Sequence, residues 1–284
     1  MYFVKHLIEF LRVFGYFASV KLTQAILPVA GLGTRFLPWT KTVPKELLPI
    51  GTMPIIALLV DECLSVGITD ICFVISKGKE SLMDFFQRDV ELEADLQERG
   101  KGDLLKDLAR YDEVKFSHVY QSEQLGDGHA ILQAADWVHS DQVAILFGDD
   151  LIVGKESGLQ QLVKNYTEGA MLCLEDVPKE AVSRYGIVEV EESEGPLKVV
   201  TGLVEKPAPE EAPSTLGIVG KYIIPRSIFS VLPTVSAGQG GEIRLIDALI
   251  AELGSMPIYG YVFEGQRFDT GTPEGYKEAV EALG

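Results

Sequence analysis

The chain has 284 residues, of which 46% are hydrophobic, and its formal net charge at pH 7 is −17. This length and composition allow one large hydrophobic core and favour a single α/β domain. The acidic excess disfavours nucleic acid and anionic membrane surfaces as partners, although a locally basic cleft could still bind a small anion. The cysteines, Cys63, Cys72 and Cys173, are too scattered for a zinc site, and their odd number favours a reducing cytoplasm.

The first segment, residues 1–22, is rich in aromatic residues and precedes the first predicted strand. Phe3, Leu7, Phe10 and Phe14 recur at helical spacing, which predicts an amphipathic helix that packs on the body of the protein or on a partner. Charged residues interrupt the apolar ones, so no run reaches the roughly 20 residues of a membrane span. They also argue against a cleaved signal peptide. A dispensable extension and a helix on a membrane surface are the alternatives.

Residues 23–51 predict a buried strand, a phosphate-binding loop and a rigid basic arm, in that order. The apolar run from Ala25 to Ala30 leads directly into the sequence GLGTR, and PKELLP follows at residues 44–49. Between Thr23 and Lys45 there are three cations and no acidic residue. Such local positive charge in an acidic chain indicates a small, phosphorylated ligand.

The spacing of this loop excludes two common phosphate-binding fingerprints. The dinucleotide-binding fingerprint would place its third glycine at Phe36, and the Walker loop would need Gly-Lys-Ser/Thr where this chain has Thr34-Arg35-Phe36. The remaining pattern, G-x-G-T-R-x-L-P followed by P-K-E-L-L-P, resembles the nucleotide-binding segment of the sugar-1-phosphate nucleotidylyltransferase family. Within that family it is most similar to the branch that uses UTP and glucose 1-phosphate.

Strands and helices alternate in the first half of the chain. The predicted elements are a helix at 54–67, a strand at 70–76, a helix at 79–88, a charged helical excursion on the surface at 90–110, a strand at 114–121, a helix at 126–137 and a strand at 143–150. This alternation predicts a mostly parallel sheet with right-handed crossovers. Together with the resemblance, it implies a Rossmann-like α/β fold of the nucleotide-diphospho-sugar transferase type, flanked by helices.

The alternation of strands and helices ends after residue 170, where short strand-like runs are separated by glycine and proline. They lie at 170–177, 186–192, 197–207, 216–225 and 258–265, with helices expected near 243–253 and after Thr272. We therefore expect a mixed sheet added to the same core. The predicted organisation is one domain over 23–284, with a nucleotide-binding half at about 23–150 and a sugar-binding half at about 151–284.

Polar residues at the predicted strand ends complete the pattern. Asp149 follows an apolar strand, the Glu205-Lys206 pair precedes a proline, and Asp269 lies in the sequence RFDTGTPEGY. Taken singly, these are more simply a strand-end acid, a solvated ion pair and a helix-capping turn. Taken with the basic loop, they match the family in order and spacing over residues 22–284.

The resemblance implies a reaction and a role for each charged residue. The phosphate of glucose 1-phosphate would attack the α-phosphorus of UTP, giving UDP-glucose and pyrophosphate with Mg²⁺ as cofactor. Asp149 and Asp269 are implied to bind Mg²⁺, which prefers hard oxygen ligands. The implied catalytic cations are Arg35 and Lys45 on the triphosphate and Lys206 on the sugar phosphate.

The other implied contacts divide between nucleotide and sugar. The triphosphate would be wrapped by Gly31, Gly33 and Thr34, the uracil read by Ala30, Glu46, Gln121 and Gly126, and the glucose bound by Gly186, Glu205 and Val219. No general base is needed, because the second pKa of a sugar phosphate lies near ~6 and the nucleophile is already ionised at neutral pH. Catalysis is therefore expected to rest on positioning and charge neutralisation.

Two other functions are open at this stage. A glucose-1-phosphate thymidylyltransferase shares the chemistry, but such relatives usually carry paired glycines in the first loop and glutamine in place of Glu46. Ala30-Gly31 and Glu46 therefore favour UTP. A non-catalytic sugar-nucleotide sensor should have lost metal ligands or phosphate-binding cations, which this chain keeps.

Departures from the family pattern occur at Leu125, where many relatives carry lysine, and at Asp127, where they carry an apolar or small residue. The base and triphosphate contacts in this segment are therefore expected to differ. The resemblance also implies a homo-oligomer, a dimer or a tetramer, and a cytoplasmic location without a membrane span.

Overall fold

The computed structural model describes residues 22–238 and 241–284. The predicted N-terminal helix therefore lies outside the described residues, apart from Leu22, whose side chain is buried. No helix in the described part of the chain is long and apolar enough to cross a membrane.

The described strands form one large sheet and two small ones. In chain order they are β1 (Gln24–Pro28), β2 (Pro49–Ile50), β3 (Met53–Pro54), β4 (Asp70–Ile75), β5 (Lys115–Tyr120), β6 (Gln142–Leu146), β7 (Asp150–Val153), β8 (Ala170–Asp176), β9 (Gly186–Val190), β10 (Leu197–Glu205), β11 (Leu216–Pro225), β12 (Ile258–Val262) and β13 (Gln266–Asp269). The large sheet has nine strands in the order β5-β4-β1-β6-β11-β8-β12-β10-β9. The small sheets pair β2 with β3 and β7 with β13.

The sheet is mixed, as expected, but it is not mostly parallel. β5, β4, β1 and β6 run parallel to one another, and β12 runs parallel to β8. β11 is antiparallel to both β6 and β8, and β10 is antiparallel to β12 and β9. β9 and β10, for example, are joined by a short turn, and such a connection suits antiparallel pairing because it needs no crossover helix.

The described helices cover both faces of the large sheet. They are α1 (Ile55–Ser65), α2 (Ser81–Asp84), α3 (Val90–Glu98), α4 (Lys106–Ala109), α5 (Asp127–Leu132), α6 (Gly158–Asn165), α7 (Ile228–Val231), α8 (Leu245–Ala251) and α9 (Pro273–Leu283). Compared with the prediction, α2 and α5 are shorter, whereas the predicted helical excursion at 90–110 contains α3 and α4. The predicted cap of the last helix is confirmed, because Thr272 Oγ1 accepts the Gly275 N–H at 3.1 Å.

Alternating side chains of the central strands separate the core into two layers. On β1, Ala25 and Leu27 belong to a cluster that includes Leu59 of α1, whereas Ile26 belongs to a cluster that includes Ile131 of α5. This alternation follows from the two-residue period of a strand buried on both faces. The rigid sheet leaves its polar loops at the carboxyl ends of β1, β4, β5 and β6, where open α/β sheets bind ligands.

Candidate active site

A cavity of about 490 Å³ opens at the carboxyl end of β6. Its lining includes Arg35, Asp149, Gly186, Glu205, Lys206 and Asp269, all of which the sequence patterns indicate as site residues. These residues come from loops and strand ends spread over more than two hundred positions of the chain. The fold therefore brings the cations of the first loop, the carboxylates and the sugar-side residues to one place.

The two predicted metal ligands, Asp149 and Asp269, converge on Gly271. A methyl group placed on Gly271 would lie 2.6 Å from Asp149 Oδ2 and 3.0 Å from Asp269 Oδ1. The Gly271 N–H donates to Asp269 Oδ1 at 3.1 Å, and the Thr270 N–H donates to the Asp149 carbonyl at 2.8 Å. The turn after β13 thus holds the Asp269 carboxylate and the backbone of Asp149, and leaves no room for a side chain between the two carboxylates.

This donor set fits Mg²⁺ held jointly by protein and substrate. Mg²⁺ commonly takes one or two carboxylates and completes its octahedron with phosphate oxygens and water. Asp149 and Asp269 supply two such carboxylates on one side of the cavity. The described residues contain no group of three or more His, Cys, Asp or Glu that could hold a metal by themselves. Water molecules and phosphate oxygens of a substrate would complete the coordination.

Lys45 and Arg35 both reach this carboxylate turn. Lys45 Nζ lies 2.6 Å from Asp149 Oδ2, and Arg35 Nη1 donates to the Gly271 carbonyl at 3.3 Å. Burial acts to lower the pKa of Lys45, but the charges of Asp149 and Glu46 outweigh it and the net shift is upward. Lys45 is therefore a fixed cation at neutral pH.

The glycine loop turns between β1 and these cations. Gly33 adopts a left-handed conformation with φ +64°, and its carbonyl accepts the Thr40 hydroxyl at 2.7 Å. Gly31 and Thr34 on either side are exposed. A side chain at Gly33 would meet Thr40 at 3.1 Å as well as the cost of a positive φ. The backbone amide groups of the loop are therefore accessible, and binding of a phosphate by such a loop depends on these groups.

The residues predicted to read the base lie along the same sheet edge. Gln121 directly follows β5, and its Nε2 donates to the Gly126 carbonyl at 3.0 Å. Gln124 Nε2 donates to the Ala30 carbonyl at 3.3 Å. These bonds connect the loop after β5 with the loop after β1. Gly126, with φ +101°, passes so close to the Ile243 carbonyl that a methyl group would lie 2.4 Å from it.

Glu46 has a partner that the sequence interpretation missed. Lys79 Nζ lies 2.9 Å and 3.1 Å from the two Glu46 carboxylate oxygens and 2.6 Å from the Val29 carbonyl. Glu46 is 1% exposed, and burial lowers the pKa of Lys79 despite the neighbouring carboxylate. A contact between Glu46 and uracil must therefore use lone pairs that Lys79 leaves free. In the sequence, only the presence of a lysine in the turn after β4 could have indicated this contact.

On the sugar side, the structure brings Glu205, Lys206 and Gly186 together. Lys206 Nζ lies 3.3 Å from Glu205 Oε1, and a methyl group on Gly186 would lie 3.2 Å from Glu205 Oε2. Arg244, which the sequence interpretation also missed, places its Nη1 3.8 Å from Glu205 Oε1. Lys206 has φ +47°, an uncommon conformation for a lysine.

Val219 is less directly placed than predicted. Its side chain is 2% exposed and packs in the core cluster that includes Leu59. The flanking residues Ile218 and Gly220 line the cavity instead. The alternation of side chains along β11 accounts for the difference, because neighbouring residues point to opposite faces of the sheet. Any role of Val219 in sugar binding is therefore confined to its backbone.

Asp127 and Asp150, two further acids beside the cavity, are bound to protein groups. Asp127 Oδ1 accepts the Leu245 N–H at 2.9 Å, where α8 begins, and Asp150 Oδ2 accepts the Gly220 N–H at 2.9 Å. Asp150 also forms an ion pair with Arg267. Burial raises the pKa of each carboxyl, against the lowering effect of these partners. Both acids therefore hold loops and strands in place.

The geometry of a phosphate-binding loop, paired carboxylates and sugar-side polar groups agrees with a sequence comparison. A family model described as "Nucleotidyl transferase" matches residues 24–284. The chain belongs to the nucleotidyl transferase family. The match covers the loop, both carboxylates and the sugar-side residues.

Individual members of the nucleotidyl transferase family are also similar. "UTP–glucose-1-phosphate uridylyltransferase YngB" of Bacillus subtilis (strain 168) is 42% identical over 269 residues, which is 93% of this chain and 90% of the relative. An apo UDP-glucose pyrophosphorylase structure superposes with a TM-score of 0.86 at 36% identity, covering 92% of this chain and 97% of the other. A UTP-bound UGPase from Acinetobacter baumannii gives 0.85 at 36% identity and 93% coverage of both chains.

Proposed function

We propose that this protein is a UTP–glucose-1-phosphate uridylyltransferase, which converts UTP and glucose 1-phosphate into UDP-glucose and pyrophosphate. The observation that carries the proposal is the convergence of Asp149, Asp269 and the Glu205-Lys206 pair in one cavity, with Lys45 paired to Asp149. The names of its relatives support the same substrates, since a uridylyltransferase is 42% identical and a similar structure is UTP-bound.

The chemical step needs no proton acceptor from the protein. The attacking phosphate of glucose 1-phosphate is largely a dianion at neutral pH, because its second pKa is about 6. The obstacle is repulsion between two polyanions, which fixed cations reduce. Arg35 and Lys45 lie beside the glycine loop, where they neutralise the triphosphate and the departing pyrophosphate. Lys206 neutralises the sugar phosphate on the opposite side of the cavity.

Asp149 and Asp269 would hold Mg²⁺ against the phosphates of both substrates. When bound there, the metal supplies positive charge to the phosphate oxygens. In the protein alone, Lys45 pairs with Asp149 at 2.6 Å. When a triphosphate binds in the glycine loop, Lys45 can pair with one of its phosphates as well. Arg35, which is exposed and bonded only to a backbone carbonyl among its described contacts, can turn to the same triphosphate.

Substrate recognition divides along the sheet. Ala30, Gln121 and Gly126 form the base side, with Glu46 held behind them by Lys79. Gly186 and Glu205 form the sugar side, where Arg244 keeps Glu205 in place. We retain as part of the proposal the division into a nucleotide-binding half at about 23–150 and a sugar-binding half at about 151–284. A Rossmann-like description applies to the parallel strands of the first half.

The test is release of pyrophosphate from UTP and glucose 1-phosphate in the presence of Mg²⁺. We expect turnover that requires both substrates and the metal, with UTP preferred over dTTP at equal concentrations. A preference for dTTP would make the protein a thymidylyltransferase. No release with any pair of nucleotide and sugar phosphate would indicate a non-catalytic sugar-nucleotide sensor.

A homo-oligomer, dimer or tetramer, and a cytoplasmic location belong to the same proposal. The cysteines Cys63, Cys72 and Cys173 are all free and buried, which supports a reducing compartment. Light scattering coupled to gel filtration would measure the number of subunits directly. A monomer at micromolar concentration would remove the oligomer from the proposal.

A further inference from the structure

The paired strands β7 and β13 carry the carboxylates that the mechanism needs. Asp149 immediately precedes β7, Asp269 is the last residue of β13, and Asp269 lies opposite Asp150 in the antiparallel register. Any shift between the two strands would therefore change the distance between Asp149 and Asp269. The contacts that fix β7 and β13 relative to each other, and relative to Glu205 and Lys206, therefore affect the proposed metal site.

Arg267 of β13 joins three elements around these strands. Its Nε pairs with Asp150 Oδ1 of β7, and its Nη1 lies 2.8 Å from Glu175 Oε2 of β8. The same Nη1 lies 3.2 Å from the Tyr185 hydroxyl, and the guanidinium carbon lies 5.4 Å from the centre of the Tyr185 ring. The arginine side chain is only 9% exposed. Few other side chains could reach three partners in fixed directions, because the guanidinium is planar and has five donors.

Tyr185 extends this connection to the sugar side. The Tyr185 carbonyl accepts the Lys206 N–H at 2.9 Å, and the next residue, Gly186, packs beside Glu205. Asp150 extends it in the other direction, because its second oxygen accepts the Gly220 N–H of β11. A continuous chain of contacts therefore runs from the carboxylate strands through Arg267 to the backbone of Lys206.

We propose that Arg267 is a positioning residue for nucleotidyl transfer, which fixes the Asp149–Asp269 pair relative to Lys206. This inference rests on the proposed function, because it assigns metal binding to the carboxylates and phosphate binding to Lys206. Stability alone gives a weak reason for such a buried ion pair, since well-packed apolar residues of similar volume are often equally stabilising. The directional contacts of Arg267, which hold the proposed substrate-binding groups in place, explain the buried ion pair better than stability does.

The test compares the variants Arg267→Gln and Arg267→Lys with the wild type in two measurements. The first is steady-state kinetics, in which we expect kcat to fall about 10- to 100-fold while KM for UTP changes little. The second is binding of Mn²⁺ alone, followed by the electron paramagnetic resonance signal of the free ion. We expect Mn²⁺ affinity to fall about tenfold, with Arg267→Lys recovering only part of each loss because lysine cannot reproduce the fork.

The variant Tyr185→Phe tests the contact of Arg267 with the sugar side separately from its contact with Asp150. It removes the hydroxyl that accepts from Arg267 and leaves the ion pair with Asp150 intact. We expect a higher KM for glucose 1-phosphate with unchanged Mn²⁺ affinity. If Arg267 only stabilised the fold, Tyr185→Phe would not change KM for glucose 1-phosphate while leaving Mn²⁺ affinity unchanged.

Arg110 provides a matched control away from the cavity. It also pairs with an aspartate, Asp61, at 3.4 Å and also lies over a tyrosine ring, that of Tyr111, at 4.9 Å. Arg110→Gln should leave kcat and Mn²⁺ affinity within about twofold of the wild type, the range that a surface pair allows. Melting temperatures of all variants, measured together, identify the temperature at which every variant is folded.

The proposal is overturned if Arg267→Gln only lowers the melting temperature and otherwise matches Arg110→Gln in kcat and Mn²⁺ affinity. The double variant Asp150→Asn/Arg267→Gln removes both members of the more buried ion pair and leaves only the partly exposed Glu175 carboxylate without its partner, so it covers the case in which the single variant does not fold. If the wild type releases no pyrophosphate with any substrate pair, the proposed function fails. Mn²⁺ affinity then still tests whether Arg267 positions the carboxylates.

Discussion

The contact between Lys45 and Asp149 shows how single residues prepare this site. Two carboxylates directed at one point repel each other, and a lysine at 2.6 Å from one of them compensates that charge in the protein alone. The same lysine is beside the loop that we propose binds the triphosphate. Exchange of its partner between Asp149 and a phosphate needs only a small side-chain movement, because the lysine stem is flexible.

Asp269 is the residue whose loss should separate catalysis from binding. Asp269→Asn is expected to reduce kcat by about 100-fold or more, because a carboxylate acting on transition-state charge contributes mainly to the chemical step. UTP affinity, measured by calorimetry without glucose 1-phosphate, should change far less. Asp141→Asn, an exposed aspartate before β6, is the control. Turnover of Asp269→Asn within a few-fold of wild type would contradict the metal assignment.

Lys79 should matter for the nucleotide and not for the sugar. Lys79→Met leaves the Glu46 carboxylate buried without its ion-pair partner and frees the Val29 carbonyl, next to the Ala30 backbone. We expect KM for UTP to rise about tenfold, since loss of a buried charged partner is costly, and KM for glucose 1-phosphate to stay near that of the wild type.

Lys77→Met is the matched control for Lys79, because Lys77 is exposed in the same turn. It should leave both KM values unchanged. If the two lysine variants show equal KM values for UTP, the ion pair of Lys79 with Glu46 has no part in nucleotide binding.

Among the elements, strand ends were the most predictable from the sequence. Asp149 follows an apolar run and Gln121 follows the predicted strand VKFSHVY, and the carboxyl ends of parallel strands share one edge of a sheet. That rule, together with the family resemblance, is enough to predict that both residues lie near the basic loop. The cap formed by Thr272 was equally accessible, because it depends on residues three positions apart.

Contacts between distant elements were not predictable in the same way. Lys79 and Glu46 are 33 positions apart, and Arg267 and Asp150 are 117 apart, so no local periodicity connects them. The position of β11 between β6 and β8 likewise depends on which sheet edge is free when that strand pairs. Burial of an ion pair is decided by the assembled fold, and a charged residue in a sequence is normally interpreted as exposed.

At the scale of the whole molecule, the net charge of −17 does not prevent anion binding. Electrostatic screening limits the influence of distant exposed charges to about 8 Å at physiological ionic strength. A phosphate in the cavity is therefore governed by Arg35, Lys45 and Lys206, which line it or lie beside it. The remaining acidic surface chiefly affects solubility and disfavours nucleic acid and anionic membrane surfaces as partners.

The buried pair of Lys221 and Glu62 connects the layers of the molecule and supports a prediction about global stability. Lys221 of β11 is fully buried, and its Nζ lies 2.7 Å from Glu62 Oε2 of α1. Glu62 Oε1 accepts the Leu159 N–H of α6 at 2.7 Å. Lys221→Met should reduce the free energy of unfolding by about 3–5 kcal/mol, because it leaves a buried carboxylate without a counter-charge.

The double variant Glu62→Gln/Lys221→Met distinguishes this cause from loss of packing. Glutamine still accepts the Leu159 N–H, and neither position 62 nor position 221 carries a charge. We expect the double variant to recover at least about 2 kcal/mol of the loss, since the unpaired charge and not the missing ammonium is the main penalty. Urea unfolding with linear extrapolation measures the free energies. A double variant no more stable than Lys221→Met would show that the volume and contacts of the lysine stem, and not its charge, hold α1, α6 and β11 together.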